Sequence, residues 1–327
     1  MKAILLEEKG GPDVLRIRDV PDPVCAEDGL LIRVRATALN RADLLQRRGL
    51  YPPPPGVPDI PGLEAAGEVV DVGSRVEEWK PGDRVMALLP GGGYAEYVAV
   101  AAGAVMRVPE AMTFEEAAAV PEAFLTAWLN LVELAKLMPG ERVLVHAAAS
   151  GVGTAAVQLA RELGARVLAT AGSEEKLRVV RNLGAEAVWN YRDGSFRQWV
   201  LEQTEGRGVD VVFDLVGGLH WSDNLASLAP DGRLLLIGTL GGSRVERLDL
   251  NDFLMRRLKL LATTLRSRGV EEKARLVRAF ADFASERLRD GRLRPVVDSV
   301  FDWRDAADAH RRMEANLNIG KIVLRVT

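Results

Sequence analysis

The sequence predicts an α/β chain in which a β-rich, barrel-like part accompanies a doubly wound parallel sheet. Three observations carry this. From residue 142 to residue 265, short apolar runs alternate with stretches of helical periodicity, as strands joined by crossover helices do. The first run, Val143 to Val145, leads through Gly151-Val152-Gly153-Thr154-Ala155-Ala156 into apolar residues at helical spacing, Val157, Leu159, Ala160 and Leu163. Residues 1 to about 110 instead show short period-2 runs separated by Gly, Pro and Asp turns.

With 327 residues the chain can build two domains with separate cores. A net charge of −3, without interleaved aromatic and basic stretches, gives no basis for binding nucleic acid or an anionic membrane. No cationic start precedes an apolar run and no long uncharged apolar run exists, so neither a signal peptide nor a membrane span is expected. Cys25 is the only cysteine, which excludes an intrachain disulfide and a cysteine-based metal cluster and suggests the cytoplasm.

In order, Lys2-Ala-Ile-Leu-Leu, Leu15-Arg-Ile-Arg and Gly29 to Leu39 read as strands, with turns at Gly10-Gly11-Pro12-Asp13 and Pro21-Asp22-Pro23. Asn40 to Gly49 reads as a short helix, Asn40 its N-cap and Gly49 its terminator. Tyr51-Pro52-Pro53-Pro54-Pro55-Gly56 is a stiff loop. Gly62 to Val70 begins a strand pair, Lys80-Pro81-Gly82-Asp83 turns into a strand, and Gly91-Gly92-Gly93 is a flexible turn before another. The period then changes: Thr113 and Glu116 form a capping box, and two helices meet at Pro121. Strands are expected near 142–147, 166–171, 187–190, 209–214, 232–238 and 259–264, and helices near 151–163, 173–183, 195–204, 221–229 and 251–257. Val270 to Arg289 is a long amphipathic helix, followed by a strand at Pro295 to Phe301, a helix at Trp303 to Ala315 and a strand at Gly320 to Val326. These last elements lie beyond the sixth sheet strand, so the chain should return to its first domain, giving 1–122 with 266–327 as one domain and 123–265 as the other.

A strand, a glycine turn and a helix ended by Gly164 form the context in which G-x-G-x-x-A reads as a dinucleotide site rather than a packing turn. Its glycines allow a tight turn and close approach of a pyrophosphate, Ala156 lets the helix pack on the strand, and the helix N-terminus attracts phosphate. Ser150, Gly151, Val152 and Gly153 are therefore candidate cofactor contacts. An NAD site carries Asp or Glu at the end of the second strand. Here Arg166 to Ala171 is followed by Gly172-Ser173, with Lys176 one turn on. Ser173 and Lys176 suit the 2′-phosphate of NADP, so NADPH is the expected cofactor. The alternatives are that Ser173 only caps the helix, Lys176 is a solvated charge, and Glu174 or Glu175 serves a ribose hydroxyl.

Several stretches together resemble the medium-chain dehydrogenase/reductase superfamily, and within it the zinc-free, zeta-crystallin-type quinone oxidoreductases. They are Asn40 to Pro54, Pro61-Gly-Leu-Glu-Ala-Ala-Gly-Glu-Val, Pro81-Gly-Asp-Arg-Val, Ala149-Ser-Gly-Val-Gly-Thr-Ala-Ala, Gly232-Arg-Leu-Leu-Leu-Ile-Gly and Gly320-Lys-Ile-Val-Leu. The resemblance implies a GroES-like first domain completed by the C-terminal segment, an inserted Rossmann domain and an active site in the cleft between them. Zinc-dependent relatives have Gly-His-Glu where this chain has Gly62-Leu63-Glu64, and leucine cannot bind a metal. His146, His220 and His310 are each expected to be satisfied structural histidines. By resemblance, Asn40 and Tyr51 line the substrate cleft, Thr126 lies beside the nicotinamide, and Tyr191, on a strand, helps hold the 2′-phosphate. Gly238-Thr239 and Thr264-Leu265 make backbone contacts to the ribose and carboxamide. Some relatives place an arginine on the 2′-phosphate where this chain has Asn316, which counts against NADP.

The implied reaction is hydride transfer from NADPH to a quinone or another electron-poor carbonyl compound, with placement of the acceptor as the main catalytic device. Tyr51 and Asn40 would stabilise the developing oxyanion. The alternatives are reduction of an enone or enal and a cofactor-binding protein without turnover. A homodimer is expected through the sheet edge around Leu234 to Leu250.

Overall fold

The computed structural model describes Met1–Thr327. Its contacts divide the chain into Met1–Leu125 with Leu265–Thr327, and Thr126–Thr264.

The first unit opens with an antiparallel hairpin of β1 (Lys2–Leu6) and β2 (Leu15–Asp19). Next come β3 (Gly29–Ala38), α1 (Arg41–Arg47), β4 (Glu64–Val72), β5 (Arg84–Leu88), β6 (Tyr97–Ala101), β7 (Val105–Arg107), α2 (Phe114–Ala117) and α3 (Pro121–Trp128). Thr113 and Glu116 form the expected capping box at the start of α2.

In the second unit β8 (Arg142–Val145), α4 (Gly151–Glu162), β9 (Arg166–Ala171), α5 (Glu174–Asn182), β10 (Ala187–Asn190), α6 (Arg197–Gln203), β11 (Val209–Asp214), α7 (Trp221–Ser227), β12 (Leu228–Leu236), α8 (Leu250–Arg256) and β13 (Lys259–Ala262) alternate as the periodicity requires. The chain then returns with α9 (Val270–Arg289), β14 (Val297–Asp302), α10 (Ala306–Glu314) and β15 (Lys321–Arg325).

The first unit's main sheet runs β14-β15-β3-β4-β5-β7, with β6 also paired to β3. Ile4, Leu30, Ile32, Val34, Tyr94, Trp303 and Leu324 form part of its core, and each buried aliphatic side chain contributes about 1.5–3 kcal/mol. Leu276, Val277, Phe280, Ala284 and Leu288 make the buried stripe of α9, one face at helical spacing. Register brings the ends of three strands together. Thr37 pairs with Ala65 of β4, and Ala38 pairs with Val323 of β15. The residues just beyond these pairs, Asn40, Glu64 and Lys321, therefore converge.

Gly91-Gly92-Gly93 is not the flexible turn its composition suggests. The amides of Gly92, Gly93 and Tyr94 donate to the carbonyls of Ile60, Gly62 and Pro61 at 2.8, 3.0 and 2.9 Å. A Cβ on Gly62 (φ +101) would lie 2.7 Å from the Gly93 Cα. These glycines serve close backbone crossing, and the crossing fixes the approach to Glu64.

The second unit is a six-stranded parallel sheet in the order β10-β9-β8-β11-β12-β13. The strand order reverses between β8 and β11, which opens a crevice at their carboxyl ends. One feature carries no sequence signal: after α3 the helix continues as a π-helical segment, Leu129–Leu134.

Candidate active site and cofactor site

A buried polar network lies at the end of β3. The Lys321 ammonium, 4% exposed, sits 2.7 Å from Glu64 Oε1. It also donates to the Leu39 carbonyl and to Asn40 Oδ1, each at 2.7 Å. Asn40 Nδ2 donates to Glu64 Oε1 at 2.9 Å and to the Ala38 carbonyl at 3.3 Å. The Glu64 carboxylate completes its set by accepting the Glu122 N–H at Oε2, 2.8 Å. Two buried charges are thus paired and further hydrogen-bonded, the condition under which burial is tolerated.

Asn40 takes the expected N-cap position of α1, and its side chain also faces Lys321 and Glu64. The Asp43 carboxylate, at N3, accepts the Asn40 N–H at 2.7 Å as in a capping box and the Gly62 N–H at 3.0 Å. Burial pushes the Asp43 carboxyl up to about 6 against these two donors. Behind it, Tyr94 Oη lies 3.5 Å from Asp43 and 3.2 Å from His310 Nε2, and Arg47 Nη1 lies 3.1 Å from His310 Nδ1. His310 is thus the satisfied structural histidine expected.

Tyr51 stands at the start of the proline loop, partly exposed. The Arg266 guanidinium lies 5.3 Å from its ring centroid, within cation–π range. Arg266 is 4% exposed and donates to the Pro90 carbonyl (2.7 Å), the Tyr51 carbonyl (3.3 Å) and Gln46 Oε1 (2.8 Å). Its own carbonyl accepts from Lys273 Nζ at 2.6 Å. Burial raises the Tyr51 hydroxyl above its ordinary range and the Arg266 charge opposes this, so Tyr51 remains a hydrogen-bond donor at neutral pH.

The cofactor motif lies in the second unit. Ser150 caps α4, its Oγ accepting the Gly153 N–H at 3.0 Å. A Cβ on Gly153 would lie 2.3 Å from the Ala147 carbonyl oxygen, so only glycine fits. Ala147 holds the turn in the left-handed region, φ 48°, at a cost of about 1–3 kcal/mol for a non-glycine residue. The first-turn N–H groups at Gly151 and Val152 have no helical carbonyl within reach and suit an anion. At the tip of β9, Ser173 caps α5 by accepting the Lys176 N–H at 3.4 Å, and its hydroxyl hydrogen remains available. A Cβ on Gly172 would lie 2.4 Å from Tyr191 Oη, so the missing side chain admits the phenol at this tip. Tyr191 lies in a 3₁₀ turn after β10 rather than on a strand. This cradle suits a nicotinamide dinucleotide.

A fully buried chain of polar groups supports the crevice. Asn224 Nδ2 donates to Asp214 Oδ2 at 3.0 Å, so Asn224 Oδ1 accepts from His146 Nε2–H at 2.7 Å. His146 Nδ1 then accepts from the Thr170 hydroxyl at 2.8 Å. The Asp214 carboxylate accepts the N–H groups of Val216 (2.7 Å) and Gly217 (3.1 Å). The loop after β11 is in turn bonded to the loop after β12 by Gly218 N–H to the Gly242 carbonyl and Gly241 N–H to the Val216 carbonyl, each 2.8 Å. Gly238 and Thr239 lie in that second loop, just past the end of β12. His220 departs from expectation: its ring packs 4.7 Å from that of His146, and its buried Nδ1 has no partner.

Thr126 is buried on α3, and its carbonyl accepts from Asn130 Nδ2 at 2.8 Å. Thr264 follows β13, and Leu265 is buried. Asn316 accepts a hydrogen bond from Arg41 within the first unit. Sequence reasoning did not single out Arg266, Lys321, Glu64 or Glu122. Lys321 and Glu64 stood inside the resembling stretches Gly320-Lys-Ile-Val-Leu and Gly62-Leu63-Glu64, whereas nothing in the sequence marked Arg266.

Two family models match, "Alcohol dehydrogenase GroES-like domain" over residues 26–110 and "Zinc-binding dehydrogenase" over residues 151–282. The chain is 35% identical to a quinone oxidoreductase of Lama guanicoe, over 99% of this chain and 97% of that protein. Among solved structures it is similar to mycobacterial Rv1454c complexed with NADPH (33% identity, TM-score 0.88, 99% and 100% of the two chains). It is also similar to an NAD-dependent alcohol dehydrogenase (34%, 0.88, 100% of both chains) and to CurK enoyl reductase (31%, 0.87, 100% and 99%). The zinc of the second model's description does not fit this donor set. Leu63 is apolar and buried, and Glu64 is engaged by Lys321, Asn40 and the Glu122 N–H. No group of three His, Cys, Asp or Glu side chains could hold a metal ion. The near-full-length identity shows that the chain belongs to the quinone oxidoreductase family of the medium-chain dehydrogenase/reductase superfamily.

Proposed function

We propose that the protein reduces a quinone with hydride from NADPH. The observation that carries this reading is the Tyr51 hydroxyl, a neutral donor backed by the buried Arg266 cation at 5.3 Å. Bound NADPH would supply the hydride. Ser150, Gly151, Val152 and Gly153 would hold its pyrophosphate, while Ser173, Lys176 and Tyr191 would hold the 2′-phosphate. Gly238, Thr239, Thr264, Leu265 and Thr126 would border the ribose and nicotinamide. NADPH is favoured over NADH because no carboxylate ends β9.

Tyr51 would donate to the oxygen on which negative charge develops. A preformed donor lowers the barrier without reorganising at the moment of reaction. Both hydrogens of the Asn40 amide are already engaged, so its part is to hold Lys321 and Glu64 in place rather than to bind the substrate oxygen. Reduction of an enal poses the same electronic problem, and the likeness to an enoyl reductase makes it the second reading. NADPH consumption with 1,4-benzoquinone or 9,10-phenanthrenequinone supports the first; consumption with the enal alone supports the second.

We further propose a homodimer formed through β13. This edge strand and the segment before it expose Leu250, Leu254, Met255 and Leu260, an apolar patch that calls for a partner. Light scattering should give twice the chain mass, with Leu254→Lys at the monomer mass; a monomeric wild type refutes this. No helix is long and apolar enough to cross a membrane, and the lone cysteine suits the cytoplasm.

A further inference from the structure

We propose that Glu122 is held as a neutral carboxylic acid and donates the proton that completes reduction of the acceptor, an inference that rests on the quinone reductase reading above.

Its position is set by its backbone: the Glu122 N–H, in the first turn of α3, is bonded to Glu64 Oε2 at 2.8 Å. This places a second carboxyl beside a buried carboxylate. No cation forms an ion pair with it. Lys321 is committed to Glu64, Asn40 and the Leu39 carbonyl, and Lys273 donates to the Arg266 carbonyl. Glu122 Oε2 is buried without any hydrogen-bond partner. An ionised carboxylate in that state is far more costly than a neutral acid, so the group keeps its proton.

Burial first, and the Glu64 carboxylate second, push the Glu122 carboxyl up to about 8, with Asp43 adding to the rise and Lys321 and Lys273 opposing it. Were Glu122 ionised it would raise both the Tyr51 hydroxyl and the Arg266 guanidinium, so the three groups share one electrostatic neighbourhood. Glu122 also stands four residues before Thr126 on α3, and residues at that spacing share a helix face.

The step balances. The acceptor gains one hydrogen with its electron pair as the hydride that bound NADPH would supply, leaving an oxyanion. The Glu122 O–H bond breaks, an O–H bond forms on that oxyanion, and the resulting carboxylate takes up a proton from solvent, so each turnover consumes one solvent proton. A proton source with an affinity near the working pH is the efficient choice for such a transfer.

The test combines titration with kinetics. In protein labelled with ¹³C-carboxyl glutamate, one glutamate resonance should titrate near pH 8 and vanish in Glu122→Gln. If every glutamate titrates in the ordinary carboxylate range, the proposal is overturned, and wild type alone suffices for this arm. With a quinone, wild-type kcat/KM should fall above that pKa. Glu122→Gln should be slower by about 10²–10⁴-fold and lose the alkaline fall, whereas Glu122→Asp should keep it. A Glu122→Gln enzyme with the wild-type rate and pH profile overturns the proposal. A wild type that fails to oxidise NADPH with any of the acceptors overturns the quinone reductase reading, and the proposal with it.

Discussion

Replacing Lys321 by Met removes a buried ammonium from the centre of the first unit. Three contacts go at once: the pair with Glu64 and the bonds to Asn40 Oδ1 and the Leu39 carbonyl, all at 2.7 Å. The greater loss is what remains. Glu64, fully buried, is left with only Asn40 Nδ2 and the Glu122 N–H to hold it. Breaking a buried pair from one side costs about 3–5 kcal/mol. At about 1.4 kcal/mol per tenfold, amide exchange in β15 and β3 should speed up by about two to three and a half decades. Peptides from β8 to β12 serve as the internal control and should be unchanged. In a Glu64→Gln background, the same replacement should cost at least about 1.4 kcal/mol less, because no stranded charge remains. Exchange in β15 changed by less than about tenfold, or no relief from Glu64→Gln, would refute the pairing.

Other outcomes follow from the same geometry. Gly153→Ala puts a Cβ 2.3 Å from the Ala147 carbonyl oxygen. The overpacking costs about 1–3 kcal/mol, and NADPH affinity, read from cofactor fluorescence, should fall accordingly. Lys176→Ala should weaken NADPH binding by about 10- to 150-fold, the worth of a hydrogen bond to a charged group, and leave NADH nearly unchanged; an equal loss for both would remove Lys176 from the 2′-phosphate site. Burial pushes the His146 imidazole down to about 3. The unfolded chain takes up this proton near pH 6.5 and the folded one does not until about pH 3, so the stability involved is present above pH 6.5 and lost as pH falls. His146→Gln should therefore lose less of its urea midpoint between pH 7 and pH 5 than wild type does; an identical slope refutes the assignment. Asp43 and Asp214, each raised to about 6, work in the opposite sense over the same range, and the variant leaves them in place.

The alternation in the second unit was legible because each strand is a short apolar run and each helix carries one apolar face. Val143–Val145 and the long stripe of α9 could be assigned from spacing alone. The glycine turn of α4 was legible for a similar reason, since its backbone chemistry is local. The centre of the first unit was not. Lys321, Glu64, Asn40 and Glu122 come from four separated segments; strand register brings the first three together, and α3 adds Glu122 through its N–H to Glu64. Composition also misled at Gly91-Gly92-Gly93, where the glycines meet a close backbone crossing at Gly62 rather than a need for flexibility. Asn40 was legible as the N-cap of α1, whereas its place beside the buried Lys321 and Glu64 was not. His146 and His220, far apart in sequence, meet because β8 and the turn before α7 lie at the same end of the sheet.

The most direct test follows NADPH and, separately, NADH at the absorbance of the reduced nicotinamide, with 1,4-benzoquinone, 9,10-phenanthrenequinone and an enal as acceptors. Wild type should consume NADPH with a quinone, use NADH poorly, and lose most of its rate in Tyr51→Phe while still binding NADPH. Bound NADPH with no oxidation by any acceptor would contradict the account and leave a cofactor-binding protein without turnover.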